Sequence, residues 1–295
     1  MALDGVIVVD KPEGWTSHDV VGKLRRLANT RRIGHLGTLD PLATGVLPLI
    51  IGRATRLAQF YTRADKVYEG VVRFGWSTDT YDREGSPTSE KLEIHMERDA
   101  IETALNDFRG PFLQTPPPVS AKRIGGKRAY QLARAEAEIE LKPSPVEVFD
   151  LSVLAIEGSD VRLRAHCSGG TYLRSIAHDL GKKLGTGAHL HELRRVASGE
   201  FEIGQARTIP QLEALAAEHR LDEALIPAAR MLPGFPVVPV DDAVVAQIRH
   251  GRNFPASPFR TQSGSRHVKA ITRAGELVAI GEAVLPNLYH PVVVL

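Results

Sequence analysis

The sequence predicts an α+β fold in two domains, and three observations carry that prediction. Helical and strand periodicities are mixed through residues 1–230 without alternating one for one, which argues against a doubly wound sheet. The segment Met231-Leu-Pro-Gly-Phe-Pro-Val-Val-Pro239 puts three prolines and a glycine into nine residues and reads as a domain break. Beyond it lie about sixty residues with hairpin signals and one short helical run. The expected division is therefore 1–235 and 236–295, which suits a chain of 295 residues with 43% hydrophobic content.

Taken in order, a first strand is expected over Gly5 to Val9. Ser17 is then placed as the cap of a helix whose apolar positions Val20, Val21, Leu24, Leu27 and Ala28 follow three-and-four spacing. Further strands are expected at Val46 to Ile51, Val67 to Phe74, Val146 to Ile156 and Val161 to Cys167. Helices are expected at Arg98 to Phe108, at Tyr172 to Leu184 with Thr171 as cap, and over the run from Ile209 to Arg230. In the tail, Asp241 should cap a helix that stops at Gly251. Val268 to Ile271 and Leu277 to Ile280 flank the turn Arg273-Ala-Gly-Glu276, a hairpin signal.

Composition excludes several classes. The single cysteine, Cys167, rules out an intrachain disulfide and any multi-cysteine metal site, and it suits a reducing compartment; a cytoplasmic protein is expected. No charge-free stretch approaches the ~20 apolar residues of a membrane span, and Gly5 to Val9 lies between Asp4 and Asp10 without a basic leader region. Net charge is only +2. The tail from Pro236 carries six basic and four acidic residues, so it holds the whole formal excess.

The least ordinary segment is Gly34-His-Leu-Gly-Thr-Leu-Asp40-Pro-Leu-Ala-Thr-Gly45. Glycines bracket one carboxylate set among apolar side chains, so Asp40 needs a cationic partner or a raised pKa. Its bland reading is a turn cap followed by proline. Arg174 in His166-Cys-Ser-Gly-Gly-Thr-Tyr-Leu-Arg174 is a candidate partner, because a cation in a helix's first turn opposes the dipole unless an anion compensates it. A local pair with Asp179, or plain exposure, is its bland reading. Two basic clusters, Lys23/Arg25/Arg26/Arg31/Arg32 and Lys122/Arg123/Lys127/Arg128/Arg134, suit contacts to a phosphate backbone. His189-Leu-His191, read on a helix, splits its two rings between faces and fails as a metal pair. Ser168-Gly-Gly is neither a phosphate loop nor a nucleophile elbow. Tyr68 shares a strand face with Val72 and Phe74 and by pattern is a core tyrosine.

These segments together resemble the tRNA pseudouridine synthase B family. The resemblance is carried by Lys11-Pro-Glu-Gly-Trp-Thr-Ser17, Gly34 through Pro48, Lys66-Val-Tyr68, Pro116-Pro-Pro-Val-Ser-Ala-Lys122, Cys167-Ser-Gly-Gly-Thr-Tyr-Leu-Arg174 and Leu193-Arg-Arg195. It implies a pseudouridine synthase fold with a mixed, mostly antiparallel sheet, followed by a small β-rich RNA-binding module similar to a PUA domain. It also implies isomerisation of the T-loop uridine of tRNA at position 55, without metal or organic cofactor, by a monomer that needs no obligatory protein partner. By that analogy Asp40 is the essential carboxylate, either nucleophile or base, and Arg174 pairs with it. Tyr68 stacks on the target base and suits the final proton removal, Leu193 packs beneath the site, and His35 touches the rearranged T-loop. Lys11, Lys122 and Arg123 are expected to contact the substrate. A non-catalytic RNA-binding protein or tRNA chaperone is the alternative, since it would need only the basic clusters.

Overall fold

In the computed structural model, residues 3–119, 142–256 and 265–295 are described in full and 123–124 and 127–128 as backbone. Strand β1 (Gly5–Lys11) leads into helix α1 (Ser17–Leu27), a short β2 (Ile33–His35) and β3 (Thr44–Ile51). Tight 3-10 turns over Gly52–Tyr61 connect to β4 (Lys66–Phe74). Then come α2 (Arg98–Leu105), β5 (Gly110–Gln114), the paired β6 (Arg123–Ile124) and β7 (Lys127–Arg128), β8 (Ser144–Glu157) and β9 (Asp160–Cys167). Helix α3 (Leu173–Lys183), β10 (Ala188–Ser198), β11 (Phe201–Glu202), α4 (Ile209–Ala217) and β12 (Leu225–Pro227) complete the first part. The tail contains β13 (Val237–Val240), α5 (Asp242–Arg249), β14 (Phe254–Pro255), β15 (His267–Thr272), β16 (Leu277–Leu285) and β17 (Leu288–Val294).

Ten strands form one sheet in the order β12-β1-β3-β10-β4-β9-β8-β5, with β2 added to β3 and β11 to β10. Its pairings are antiparallel except where β10 runs parallel to β3, Arg195 opposite Gly45. The expected mixed, mostly antiparallel α+β architecture is therefore present. Helices α1, α2 and α3 press Val20, Leu24, Ile101, Leu105, Ile176 and Leu180 onto one face of this sheet, and all six are almost completely buried. Among the described residues no helix is long and apolar enough to cross a membrane.

Helix starts depart from the expected caps for identifiable reasons. Thr16, one residue earlier than expected, caps α1 through a reciprocal box with Asp19. The hydroxyl of Ser17 is used elsewhere, as described below. Helix α3 starts after Tyr172, and Thr171 instead closes a turn by donating to the Ser168 carbonyl at 3.0 Å. The run Ile209–Arg230 is helical only to Ala217, because the chain reverses at His219 (φ 59°) and re-enters the sheet as β12. The Ala188–Ser198 segment is strand, not helix; pairing on both edges, with β3 and β4, overrides its helical composition. Asp241 caps α5 as expected, accepting from the Val244 amide at 2.9 Å, and the hairpin of β15 and β16 stands where predicted.

The second sheet, β13-β15-β16-β17-β14, is docked against the first. Leu277, Ile280 and Val293 of the tail join Val6, Val8, Leu57 and Met231 in one apolar cluster. Phe235 stacks on His267 at 5.1 Å, and Phe60 meets both rings edge-on. Lys269 is buried and donates to the carbonyls of Ala229 and Met231 at 3.2 and 2.9 Å, so part of the tail's formal charge is spent inside. Because the two sheets share this cluster, Ile280→Ala should cost about 2–5 kcal/mol and leave urea unfolding as one transition, with fluorescence and circular dichroism coincident.

Candidate active site

The Asp40 loop joins β2 to β3 and is held from three sides. Leu39, Leu42 and Ala43 sink into the core, which leaves Asp40 at the rim with 37% of its side chain exposed. The Ser17 hydroxyl accepts the Leu39 amide at 2.9 Å and donates to the Leu39 carbonyl at 3.1 Å. Lys11 is fully buried, and its ammonium donates to the carbonyls of Trp15, Pro12 and Pro41 at 2.6, 2.9 and 3.1 Å. Lys11 therefore shapes the loop with all three protons; burial lowers its pKa to about 8.

Arg195 of β10, also fully buried, provides the third hold. Its guanidinium donates to the carbonyls of Val46 (2.7 Å), Gly37 (3.1 Å) and Thr38 (3.3 Å). Its backbone lies so close to Gly45 (φ 96°) that a Cβ there would stand 2.2 Å from the Arg195 carbonyl oxygen. Only glycine meets both the positive φ and this approach.

Helix α3 brings the facing cation. Its first turn has no side-chain cap, and the buried Gln114 serves it instead: its carboxamide accepts from the Tyr172 amide at 2.8 Å and donates to the Tyr172 carbonyl at 3.0 Å. Arg174 follows, 5% exposed, with Nε 3.0 Å from Asp40 Oδ2 and Nη1 3.2 Å from Asp82 Oδ2. Nη1 also donates to the Thr80 carbonyl at 3.2 Å and Nη2 to that of Val119 at 2.9 Å. The two carboxylates offset the unfavourable position of a cation at a helix start. Asp82 is itself fixed by the Thr80 hydroxyl at 2.6 Å and the Glu84 amide at 3.1 Å.

Asp40, Lys66, Tyr68, Arg174, Leu193 and Arg195 line a cleft of about 300 Å³. A larger hollow of about 490 Å³ at the far end of α3 contains none of them. Burial pushes the Asp40 carboxyl above the usual range, the Arg174 guanidinium pulls it back, and Asp82 adds to the rise. Burial likewise raises the Tyr68 phenol, opposed by Arg195. The Cys167 thiol is pushed up to about 11 by burial and is therefore protonated near neutrality, a poor nucleophile.

Other expected residues lie elsewhere. His35 sits on β2 with its ring 5.8 Å from that of His18, outside the cleft lining. Lys122 falls outside the described residues, and Arg123 is described only as backbone in β6. In the first basic cluster Lys23 pairs with Glu213 and Arg25 donates to the Ile33 carbonyl at 2.9 Å; Arg26, Arg31 and Arg32 are exposed. His189 is buried, with Nδ1 3.2 Å from the Trp76 carbonyl, and is a packed residue. Asp82, Lys66 and Arg195 are in the site without being among the expected residues. Lys66 is findable, since it stands two residues before Tyr68 on one strand face; Arg195 likewise stands two after Leu193. Nothing local marks Asp82.

The family model described as TruB family pseudouridylate synthase (N terminal domain) matches residues 25–173, and the tRNA pseudouridylate synthase B C-terminal domain matches 174–233. The chain belongs to the TruB family of pseudouridylate synthases. It is 67% identical to tRNA pseudouridine synthase B of Solibacter usitatus (strain Ellin6076) over 99% of this chain and 100% of that one. To tRNA pseudouridine synthase B of Paenarthrobacter aurescens (strain TC1) it is 40% identical, covering 94% and 91%. Among solved structures, a chain of a Cbf5-Nop10-Gar1 complex superposes with TM-score 0.72 at 29% identity, covering 96% of this chain and 79% of that one. A chain of the archaeal box H/ACA sRNP Nop10-Cbf5 complex gives 0.70 at 29%, covering 96% and 80%.

Arg174→Lys keeps the charge but cannot face Asp40, Asp82 and two carbonyls at once. Single-turnover rates should fall by at least roughly tenfold with RNA affinity little changed. The acid limb of the rate–pH profile should also move up, because less of the rise that burial imposes on Asp40 is cancelled.

Proposed function

We propose that the protein isomerises the T-loop uridine at tRNA position 55 to pseudouridine, and one observation carries the reading: Asp40 and Arg174 are ion-paired at 3.0 Å in a cleft that also presents Tyr68. Full-length similarity to a relative named tRNA pseudouridine synthase B supplies the substrate. The reaction exchanges the C1′–N1 bond for a C1′–C5 bond, moves one proton from C5 to N1, and needs no redox partner. Asp40 engages the ribose, as nucleophile at C1′ or as base at C2′. Arg174 orients it and favours its ionised form. Tyr68 stacks on the base and takes part in proton removal at C5, while Leu193 packs beneath the nucleotide.

A base inside a folded T-loop must be extruded to reach this cleft. Exposed Arg26, Arg31 and Arg32, with the basic segment from Lys122 to Arg134, grip the RNA by its phosphates and shape, and His35 meets the rearranged loop. Residues 1–235 act as the catalytic domain. Residues 236–295 act as a PUA-like RNA-binding module through exposed Arg249, Arg252 and Arg273. The protein works as a cytoplasmic monomer on tRNA. The neighbours from H/ACA particles share the fold at 29% identity, whereas the 67% relative favours direct action on tRNA. A non-catalytic RNA binder has no use for a carboxylate and arginine held at such cost.

Incubated with an unmodified tRNA transcript, the protein should form pseudouridine at position 55 and at no other T-loop uridine, as read by chemical mapping. Asp40→Asn should bind the transcript within about threefold of wild type and form no product. Turnover by that variant within tenfold of wild type would overturn the assignment of Asp40.

A further inference from the structure

We propose that Lys66 is the cation that stabilises the uracil anion released when the glycosidic bond breaks, by donating a hydrogen bond to a carbonyl oxygen of the freed base. The inference rests on the reaction proposed above. When C1′–N1 breaks, the bonding electron pair leaves with N1 and spreads over O2 and O4. C1′ is satisfied by an Asp40 oxygen or by loss of the C2′ proton to Asp40. Attack of C5 on C1′ then reverses that step, the C5 proton departs, and N1 gains a proton. Between these events the base is an anion in a partly enclosed cleft, where a preorganised donor stabilises it.

Among the described residues three cations line the cleft, and two are already committed. Arg174 faces two carboxylates and two carbonyls. Arg195 directs Nε, Nη1 and Nη2 at loop carbonyls. Lys66 is 8% exposed, and among the described residues its ammonium donates to the Ala64 carbonyl, which uses one of three protons. Lys66 and Tyr68 share a face of β4, roughly 7 Å apart along the strand, a distance comparable to a uracil ring and its oxygen substituents. In the sheet Lys66 lies between Ser198 and Cys167, and Tyr68 lies opposite Arg195. A base stacked on Tyr68 therefore presents an edge along the strand toward an ammonium with donors to spare.

Burial lowers the Lys66 pKa and Arg195 from β10 adds to the fall, while Cys167 on β9 and Asp65 beside it oppose it. The stabilising form is the protonated one, so the rate should decline as pH rises through this lowered pKa. An arginine at position 66 stays charged and should not show that decline.

The test is single-turnover conversion of an unmodified tRNA transcript by full-length wild type, Lys66→Met, Lys66→Arg and Lys66→Ala, with tRNA affinity measured by filter binding. Lys66→Met should slow conversion about 100-fold with affinity within about threefold. Lys66→Arg should recover at least about tenfold of that loss and flatten the alkaline limb. Added ethylammonium should restore Lys66→Ala saturably without accelerating wild type, a response that loss of a structural contact alone would not give. Lys66→Met converting within about threefold of wild type, a loss confined to affinity, or no recovery with either arginine or ethylammonium would each overturn the proposal. If Lys66→Met fails to fold by circular dichroism, the ethylammonium response of Lys66→Ala decides the matter. Wild type forming no pseudouridine would instead overturn the proposed function itself.

Discussion

The guanidinium of Arg195, fully buried in the central strand of the large sheet, holds the Asp40 loop to its shape. It satisfies three loop carbonyls while its own backbone pairs against Gly45. Removing it would strand buried carbonyls at about 1–3 kcal/mol each and loosen the loop where chemistry requires it rigid. Lys11 and Ser17 add holds from the other side. Asp40 is thus delivered on a loop whose backbone hydrogen bonds are met by two buried cations. Preorganisation of this kind shifts its cost to folding, so that none is incurred when substrate arrives.

Charge in the site is arranged as an alternation. Asp82 and Asp40 flank Arg174, so the guanidinium is neither free to leave nor neutralised by one carboxylate alone. The long excursion between β4 and α2 delivers Asp82 and the Thr80 carbonyl to one arginine. Segment 114–119 closes the remaining sides through Gln114 on the start of α3, Ser175 on the Thr115 carbonyl at 2.8 Å and Arg174 on Val119.

Where local chemistry decides the structure, the sequence is legible. Alternating apolar residues mark β4, β8 and β9 within a residue or two at either end. The tail helix α5 is readable at both ends, from its cap at Asp241 to its stop at Gly251. The Asp40 loop stands out by its glycines and isolated charge, although its importance comes from the family resemblance rather than from composition. What escapes notice is decided at long range. Arg195 looks like any arginine of a helical-looking run until β3 and β4 pair on either side of its strand, and Asp82 gains meaning only when α3 packs against it. The same applies to β10, whose His-rich start resembles a helix and becomes strand because two neighbours require one there. Ser17 and Thr16 are interchangeable as caps by propensity; the difference is set by Leu39, twenty-two residues away from Ser17.

The central claim is that a preformed Asp40 loop receives an extruded uridine whose ribose lies against the carboxylate. Its most direct test is the crystal structure of Asp40→Asn bound to an unmodified T-arm stem–loop. The account predicts the target uridine out of the T-loop stack, its C1′ or C2′ within about 4 Å of the side chain at position 40, and loop 34–45 superposing on the free protein to within about 1 Å. A uridine still stacked in the T-loop, or a ribose seated away from position 40, would contradict it.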